Sequence, residues 1–231
     1  MSSREPEQRL PTRKQAIARG YDALDERCFM PIKFHRRCIQ LAGQIDGLAL
    51  DLGCGPGFLM HALRERHPQL RIVGCDLSYG LCSKAQARNP GTPIIEGDAE
   101  VLPFHDHQFD VVFMTEVLEH LLAPRQALHE IRRVLKPGGR LVLSVPNRDW
   151  LKYDRYIVRH TPFQPVEDHW YRVAELRELL TSVGLQVTER HGAEKLYFGG
   201  GLMHLLERVA LALSQHLRER MKRLIIIAMR P

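Results

Sequence analysis

From Leu48 to Pro146 the chain alternates short apolar runs with segments whose apolar residues return every third or fourth position. Short runs bounded by turn residues predict buried strands, and the three-to-four spacing predicts helices that bury one face. Strands are therefore expected at 48–52 (LALDL), 71–76 (RIVGCD), 92–97 (TPIIEG), 109–114 (FDVVFM) and 140–146 (RLVLSVP). Helices are expected at 58–66, 79–88 and 124–135, the last stopping at Lys136-Pro137-Gly138-Gly139. Strands alternating with helices at this spacing imply a parallel sheet covered on both faces, an α/β fold. Such sheets bind ligands beyond the carboxyl ends of their strands.

The flanks lack this rhythm. Residues 1–12 are polar, carry two prolines and are expected to fray. Residues 13–45 read as a helical lid that Pro31 divides into two pieces. Residues 147–171 hold both tryptophans without a clear period and read as an insertion capping the sheet. A helix at 173–183, a strand at 185–191, a glycine-rich break at 199–201, a long helix to 221 and a strand at 223–229 complete the chain. Residues 13–231 are thus expected to form one domain.

Composition changes this picture little. The 231 residues are 44% hydrophobic and 26% charged, enough apolar material for a sizeable core. The net charge of +6 is compatible with nucleic acid, an anionic membrane or an acidic substrate, but the basic residues are scattered, as on solvated helix faces. All five cysteines fall within the first 82 residues and no C-x-x-C pair occurs, which argues against a disulfide framework or a zinc knuckle. No His, Cys, Asp or Glu set shows metal-ligand spacing, so no metal is expected. There is no apolar leader and no run long enough to span a membrane, so a cytoplasmic location is expected.

The stretch LALDLGCGPGFL (48–59) carries the first chemistry. Gly53, Gly55 and Gly57 suit a tight strand-to-helix turn that leaves room for a ligand. Asp76 ends the second strand, where an acid can accept both hydroxyls of a ribose, and Asp98 follows the third, within reach of an adenine amine. Any adenosine cofactor fits so far, and helix capping is the alternative role for these acids. The spacing G-x-G-x-G differs from the pyrophosphate fingerprint. Asp51 beneath the loop would repel a pyrophosphate but would suit a cationic amino-acid tail.

LALDLGCGPG, IVGCDLS, GDAEVLPF, FDVVFMTEVLEHL and EIRRVLKPGGRLVLSVPN, in that order over residues 45–150, resemble the successive motifs of class I S-adenosylmethionine-dependent methyltransferases. The similarity is greatest to the group that contains the quinone-biosynthesis enzymes. It implies a Rossmann-like seven-stranded sheet, mostly parallel, whose antiparallel last strand RLIIIAM can supply. It also implies S-adenosylmethionine as cofactor. The glycine loop and Asp51 would then face the methionine part, Asp76 the ribose and Leu77 the adenine face. Asp98 and Ala99 would read the adenine edge, with Thr115 and Glu116 at the sulfonium. Tyr21 resembles a lid aromatic that closes over the cofactor.

Methyl transfer from a sulfonium needs chiefly alignment and exclusion of water, with a general base where the acceptor loses a proton. His169, beside Asp168 in the insertion, is the leading candidate base, and Glu116 the second catalytic candidate. His120, Asn147, Trp150 and Trp170 are expected to touch the acceptor, with Tyr153, Tyr156 and Phe163 as further aromatic lining. The expected partner is a small apolar or aromatic molecule, methylated on oxygen or carbon. An RNA substrate and a non-catalytic binding role are the alternatives, and no RNA-binding module is visible. The helix at 202–223 has one apolar face followed by basic residues and admits peripheral membrane contact. Oligomeric state is not legible.

Overall fold

The computed structural model describes residues 12–150, 168–193, 214 and 220–231. Most of the 147–171 insertion and of the 202–221 helix, with Tyr153, Tyr156 and Phe163, lies outside these residues.

Seven strands form one sheet: β1 (Leu48–Leu52), β2 (Arg71–Asp76), β3 (Ile94–Glu96), β4 (Phe109–Thr115), β5 (Leu135–Pro146), β6 (Gln186–Ala193) and β7 (Arg223–Met229). Their order is β3-β2-β1-β4-β5-β7-β6, and β7 runs antiparallel to both its neighbours. The chain moves outward from β1 to β2 on one side and returns to β4 on the other, which opens a crevice above the carboxyl ends of β1 and β4. This matches the sheet expected from the sequence.

Residue parity sorts the core into two layers. Leu50, Leu52, Val112, Met114, Leu141 and Leu143 face one side, under helix α5 (Pro124–Val134) and helix α6 (Val173–Ser182). Ala49, Val111, Phe113 and Val142 face the other, under α2 (Ile32–Ala42) and α3 (Phe58–Arg66). Asp51 belongs by parity to the second layer, so β1 turns a carboxylate towards the buried side at its carboxyl end. Helix α5 buries Ala127, Leu128, Ile131 and Val134, a single stripe at helical spacing. Helix α4 (Tyr79–Arg88) stands after β2, with Ser78 capping its first turn.

Two boundaries differ from expectation. β5 pairs Leu135 with Phe109 before a bulge loops out the next four residues and pairing resumes at Arg140 with Val111. The Gly138 N–H donates to Arg230 O, so the expected helix stop is also tied into the sheet edge. The N-terminal lid breaks well before Pro31: α1 (Arg13–Asp22) ends at Asp22, and Pro31 is the cap of α2. Helix α1 has no buried residue of its own and is held by polar tethers described below.

Arg230 closes the other end of the sheet. Its Nη1 donates to the carbonyls of Arg132, Arg133 and Leu135 at 2.7, 3.1 and 2.6 Å, satisfying the carboxyl terminus of α5. Replacing Arg230 by Met is expected to cost about 2 kcal/mol, since these carbonyls lose a charged donor. Urea unfolding followed by circular dichroism measures that loss as a lowered midpoint at unchanged slope.

Candidate functional site

A cavity of about 490 Å³ opens over the carboxyl ends of β1, β2 and β4, roofed by α1. Gly53, Gly55, Asp51, Asp76, Leu77, Asp98, Ala99, Thr115, Glu116, Tyr21, His120 and Trp170 all line it. Of the residues singled out from the sequence, Gly57, Asn147, Trp150 and His169 are not among its walls.

The three loop glycines have φ of 71, 52 and 83°, a left-handed run that other residues strain to adopt. A Cβ on Gly53 would sit 2.3 Å from Val117 Cγ2, and one on Gly57 2.4 Å from Asn89 Nδ2. These glycines therefore let protein approach protein, and Gly57 supports the loop from behind instead of clearing space for a ligand. Asn89 completes the support by donating from Nδ2 to Gly57 O and Ala85 O at 3.0 and 3.1 Å.

Asp76 fastens the same loop. Its Oδ2 accepts the Gly55 N–H at 2.8 Å and its Oδ1 the Ser78 N–H at 2.9 Å. The carboxylate also borders the cavity. Burial pushes its carboxyl above the usual range, while these N–H donors oppose the shift.

Asp51 is 1% exposed and its Oδ2 has no hydrogen-bond partner among the described residues. Burial first, then the charge of Asp76, pushes its carboxyl up to about 8. A buried, unsatisfied carboxyl on a cavity wall is costly and wants a cationic group against it. This fits the ammonium end of an amino-acid cofactor.

Asp98 is already engaged. Lys14 of α1 donates to Asp98 Oδ2 and, at 2.5 Å, to Glu100 Oε2. Asp22, at the end of α1, accepts from Ser78 Oγ and from the Gly80 N–H at 3.0 Å. Sequence reading missed Lys14, Asp22 and Glu100, because their partners lie more than fifty residues away.

A cluster of ionisable groups forms the far wall. Glu116, at φ 57°, pairs through Oε2 with Arg223 Nη1 at 2.6 Å and accepts from Ser144 Oγ at 2.9 Å. Its carboxylate thus ties β4, β5 and β7 together. Next to it, Glu119 and His120 lie on a single turn (Leu118–His120). His120 Nδ1 is 3.0 Å from Asp168 Oδ1, and its Nε2 is 3.8 Å from Glu119 Oε1. Burial pushes Glu119 up to about 8, partly offset by His120. The Tyr21 ring faces His120 at 5.8 Å between centroids, with its buried hydroxyl unpartnered among the described residues.

His169 turns the other way. Its Nε2 is 2.9 Å from Glu175 Oε1, the side chain is 55% exposed, and the ring stacks edge-on against Tyr171 at 4.5 Å. Its neighbours in sequence, Asp168 and Trp170, take the cavity side, since successive residues of an extended segment point oppositely. Asn147 is fully buried, donating to Met221 O at 2.6 Å and accepting the Asp149 N–H at 2.9 Å, so it builds a turn. Trp150 is buried away from the cavity, with Lys222 Nζ 5.9 Å from its ring centroid. No group of three or more His, Cys, Asp or Glu among the described residues is arranged to hold a metal ion, and none of the described helices is long and apolar enough to cross a membrane.

The stability of the ligand-free protein carries the mark of Asp51. Its folded pKa near 8 exceeds the ordinary 3.8, so the folded form binds the proton more tightly and stability falls as pH rises from about 4 to 8. Asp51→Asn is expected to raise Tm by about 3–6 °C at pH 8 and much less at pH 5, a pattern that thermal scans across pH would show.

Residues 50–143 match the family model described as a methyltransferase domain. A protein from Mycolicibacterium smegmatis named a probable S-adenosylmethionine-dependent methyltransferase is 33% identical over 156 residues, 68% of this chain and 57% of its own. The demethylmenaquinone methyltransferase of Thermus thermophilus is 36% identical over 134 residues, 55% of this chain and 61% of its own. The chain therefore spans about three fifths of these curated relatives. Among solved structures, an S-adenosylmethionine-dependent methyltransferase from Mesorhizobium loti superposes with a TM-score of 0.61 at 20% identity, covering 84% of this chain and 96% of that one. Residues 50–143 thus carry a methyltransferase domain, and in its fold and sequence the chain is similar to S-adenosylmethionine-dependent methyltransferases.

Proposed function

We propose that this protein methylates a small molecule with an apolar or aromatic body, on oxygen or carbon, using S-adenosylmethionine. The unpartnered Oδ2 of Asp51 on the cavity wall supports this reading most directly, because it calls for a cationic amino-acid tail. When bound, the cofactor supplies a methyl group on a sulfonium, whose carbon–sulfur bond breaks with its electron pair going to sulfur.

In this reading Asp51 takes the ammonium group and the backbone of Gly53 and Gly55 borders the methionine part. Asp76 accepts the ribose hydroxyls while holding Gly55, and Leu77 covers the adenine. Asp98 and Ala99 read the adenine edge once Lys14 withdraws from Asp98. Thr115 and Glu116 border the sulfonium end, where Glu116 acts as a fixed anion and not as a base, given its pairing with Arg223. Tyr21, His120 and Trp170 border the acceptor, while Asn147 and Trp150 shape that wall from behind. The relatives named demethylmenaquinone methyltransferase make quinone-like compounds the first acceptors to screen.

Calorimetric titration with S-adenosylhomocysteine tests the reading. Micromolar binding is expected, weakened at least about a hundredfold by Asp76→Ala, which removes two hydroxyl acceptors and the Gly55 tether. NAD in a parallel cell should give no heat. Binding of NAD and silence with S-adenosylhomocysteine would overturn the proposal.

A further inference from the structure

The cavity contains a proton-handling group that the cofactor reading leaves unused, and it is not the histidine the sequence favours. We propose that His120, oriented by Asp168, is the catalytic base that accepts the proton of a hydroxyl-bearing acceptor at Nε2. This rests on the methyltransferase reading above and specifies its acceptor as a compound with an ionisable hydroxyl, such as a phenol or enol.

The geometry assigns the tautomer. Asp168 Oδ1 lies 3.0 Å from Nδ1 but off the line of a hydrogen bond, so it acts through its charge, which favours the proton of the neutral ring on Nδ1. Nε2 is left with its lone pair, and among the described residues the carboxylate oxygen paired with it, on Glu119, is 3.8 Å away, beyond hydrogen-bond reach. A carboxylate beside one nitrogen while the other works divides the roles as in nucleophile activation by hydrolases. His120 lines the cavity with a side chain only 12% exposed, so a proton taken there leaves an imidazolium flanked by acids.

Every charged group facing the ring bears on its affinity for that proton. Burial lowers it, while Glu119 on the same turn, Asp168 beside Nδ1 and Glu116 just after β4 raise it, and the balance lies above the ordinary histidine value. Arg223 tempers Glu116 and Glu119 from β7. Tyr21, from α1, remains a neutral phenol because burial and the surrounding acids hold its ionisation far above the usual range. Tyr21 can therefore donate to the acceptor oxygen but cannot take its proton.

In the reaction the acceptor oxygen forms its bond to the methyl carbon as the carbon–sulfur bond breaks towards sulfur. The hydroxyl proton passes to His120 Nε2, and from there to solvent. Phenols and enols lie closer in acidity to an imidazolium than aliphatic alcohols do, so they need the least assistance from such a base. Leu121, Leu122 and Trp170 beside His120 suit the flat apolar body of such a compound.

The test uses the full-length protein with saturating S-adenosylhomocysteine and 4-nitrophenol, whose ionised form is coloured, at a pH below its own pKa in solution. Binding to the wild type is expected to raise the ionised-to-neutral ratio about tenfold, equal to one pKa unit. His120→Gln should abolish the rise, Asp168→Asn should reduce it, and His169→Gln should leave it intact. In parallel, NMR should show His120 of the ligand-free protein as the Nδ1–H tautomer, titrating above ordinary histidines. Asp168→Asn should lower that pKa by about one unit, since it removes a neighbouring charge.

No ionised phenol on the wild type, or a rise that survives His120→Gln, would overturn the assignment. An Nε2–H tautomer, or a His120 pKa unmoved by Asp168→Asn, would equally remove it. Calorimetry with S-adenosylhomocysteine on the same samples separates the two proposals. Cofactor binding without the phenolate signal sinks only the base, whereas loss of cofactor binding in the wild type sinks the methyltransferase reading itself.

Discussion

The site is organised around carboxyl groups that the fold withdraws from water. Asp51, Asp76 and Glu119 are each at most 9% exposed, all near the carboxyl edge of the sheet. Removing an ionised carboxyl from water is costly unless hydrogen bonds or cations compensate. Asp76 is compensated by two backbone N–H groups of the loops it holds. Asp51 and Glu119 each keep one oxygen unpartnered among the described residues. The glycine loop, the cavity and the ionisable wall are all arranged about these acids.

The roof is built on a different principle. Helix α1 contributes no buried side chain, and a ten-residue helix is marginal by itself. Its capping box from Thr12 and Gln15 stabilises the first turn, Lys14 anchors it to Asp98 and Glu100, and Asp22 anchors its end to the start of α4. Glu100 also accepts the Ala123 N–H at 2.7 Å, just before α5. Helix α1 and the start of α5 are thus linked through one carboxylate. Polar tethers of this kind exchange with solvent and ligand far more readily than packed apolar contacts.

What could be read without coordinates followed from locality. The strand pattern, the glycine loop and the acids Asp51, Asp76 and Asp98 all lie at or next to strand ends, where a short apolar run gives way to polar residues. Parity along LALDL already separates Asp51 from Leu50 and Leu52. The His169 assignment failed to reach the cavity for an equally local reason that only geometry reveals: Asp168 and Trp170 face inward, so the residue between them faces out. Gly57 was legible as a required glycine, but the reason was protein packing against Asn89 and not ligand clearance.

The sequence by itself determined the sheet, its order of helices and strands, and the kind of cofactor, because apolar periodicity and strand-end acids are written in consecutive residues. Only the tertiary structure decided which charges meet. Lys14 and Asp98 are 84 residues apart, Asp22 and Ser78 56, and Glu116 and Ser144 28. The pairing of His120 with Asp168 is equally remote, joining the turn after β4 to the approach to α6. Such contacts carry no periodic signal, since the parallel crossovers and the capping loops bring them together only after the apolar layers have packed.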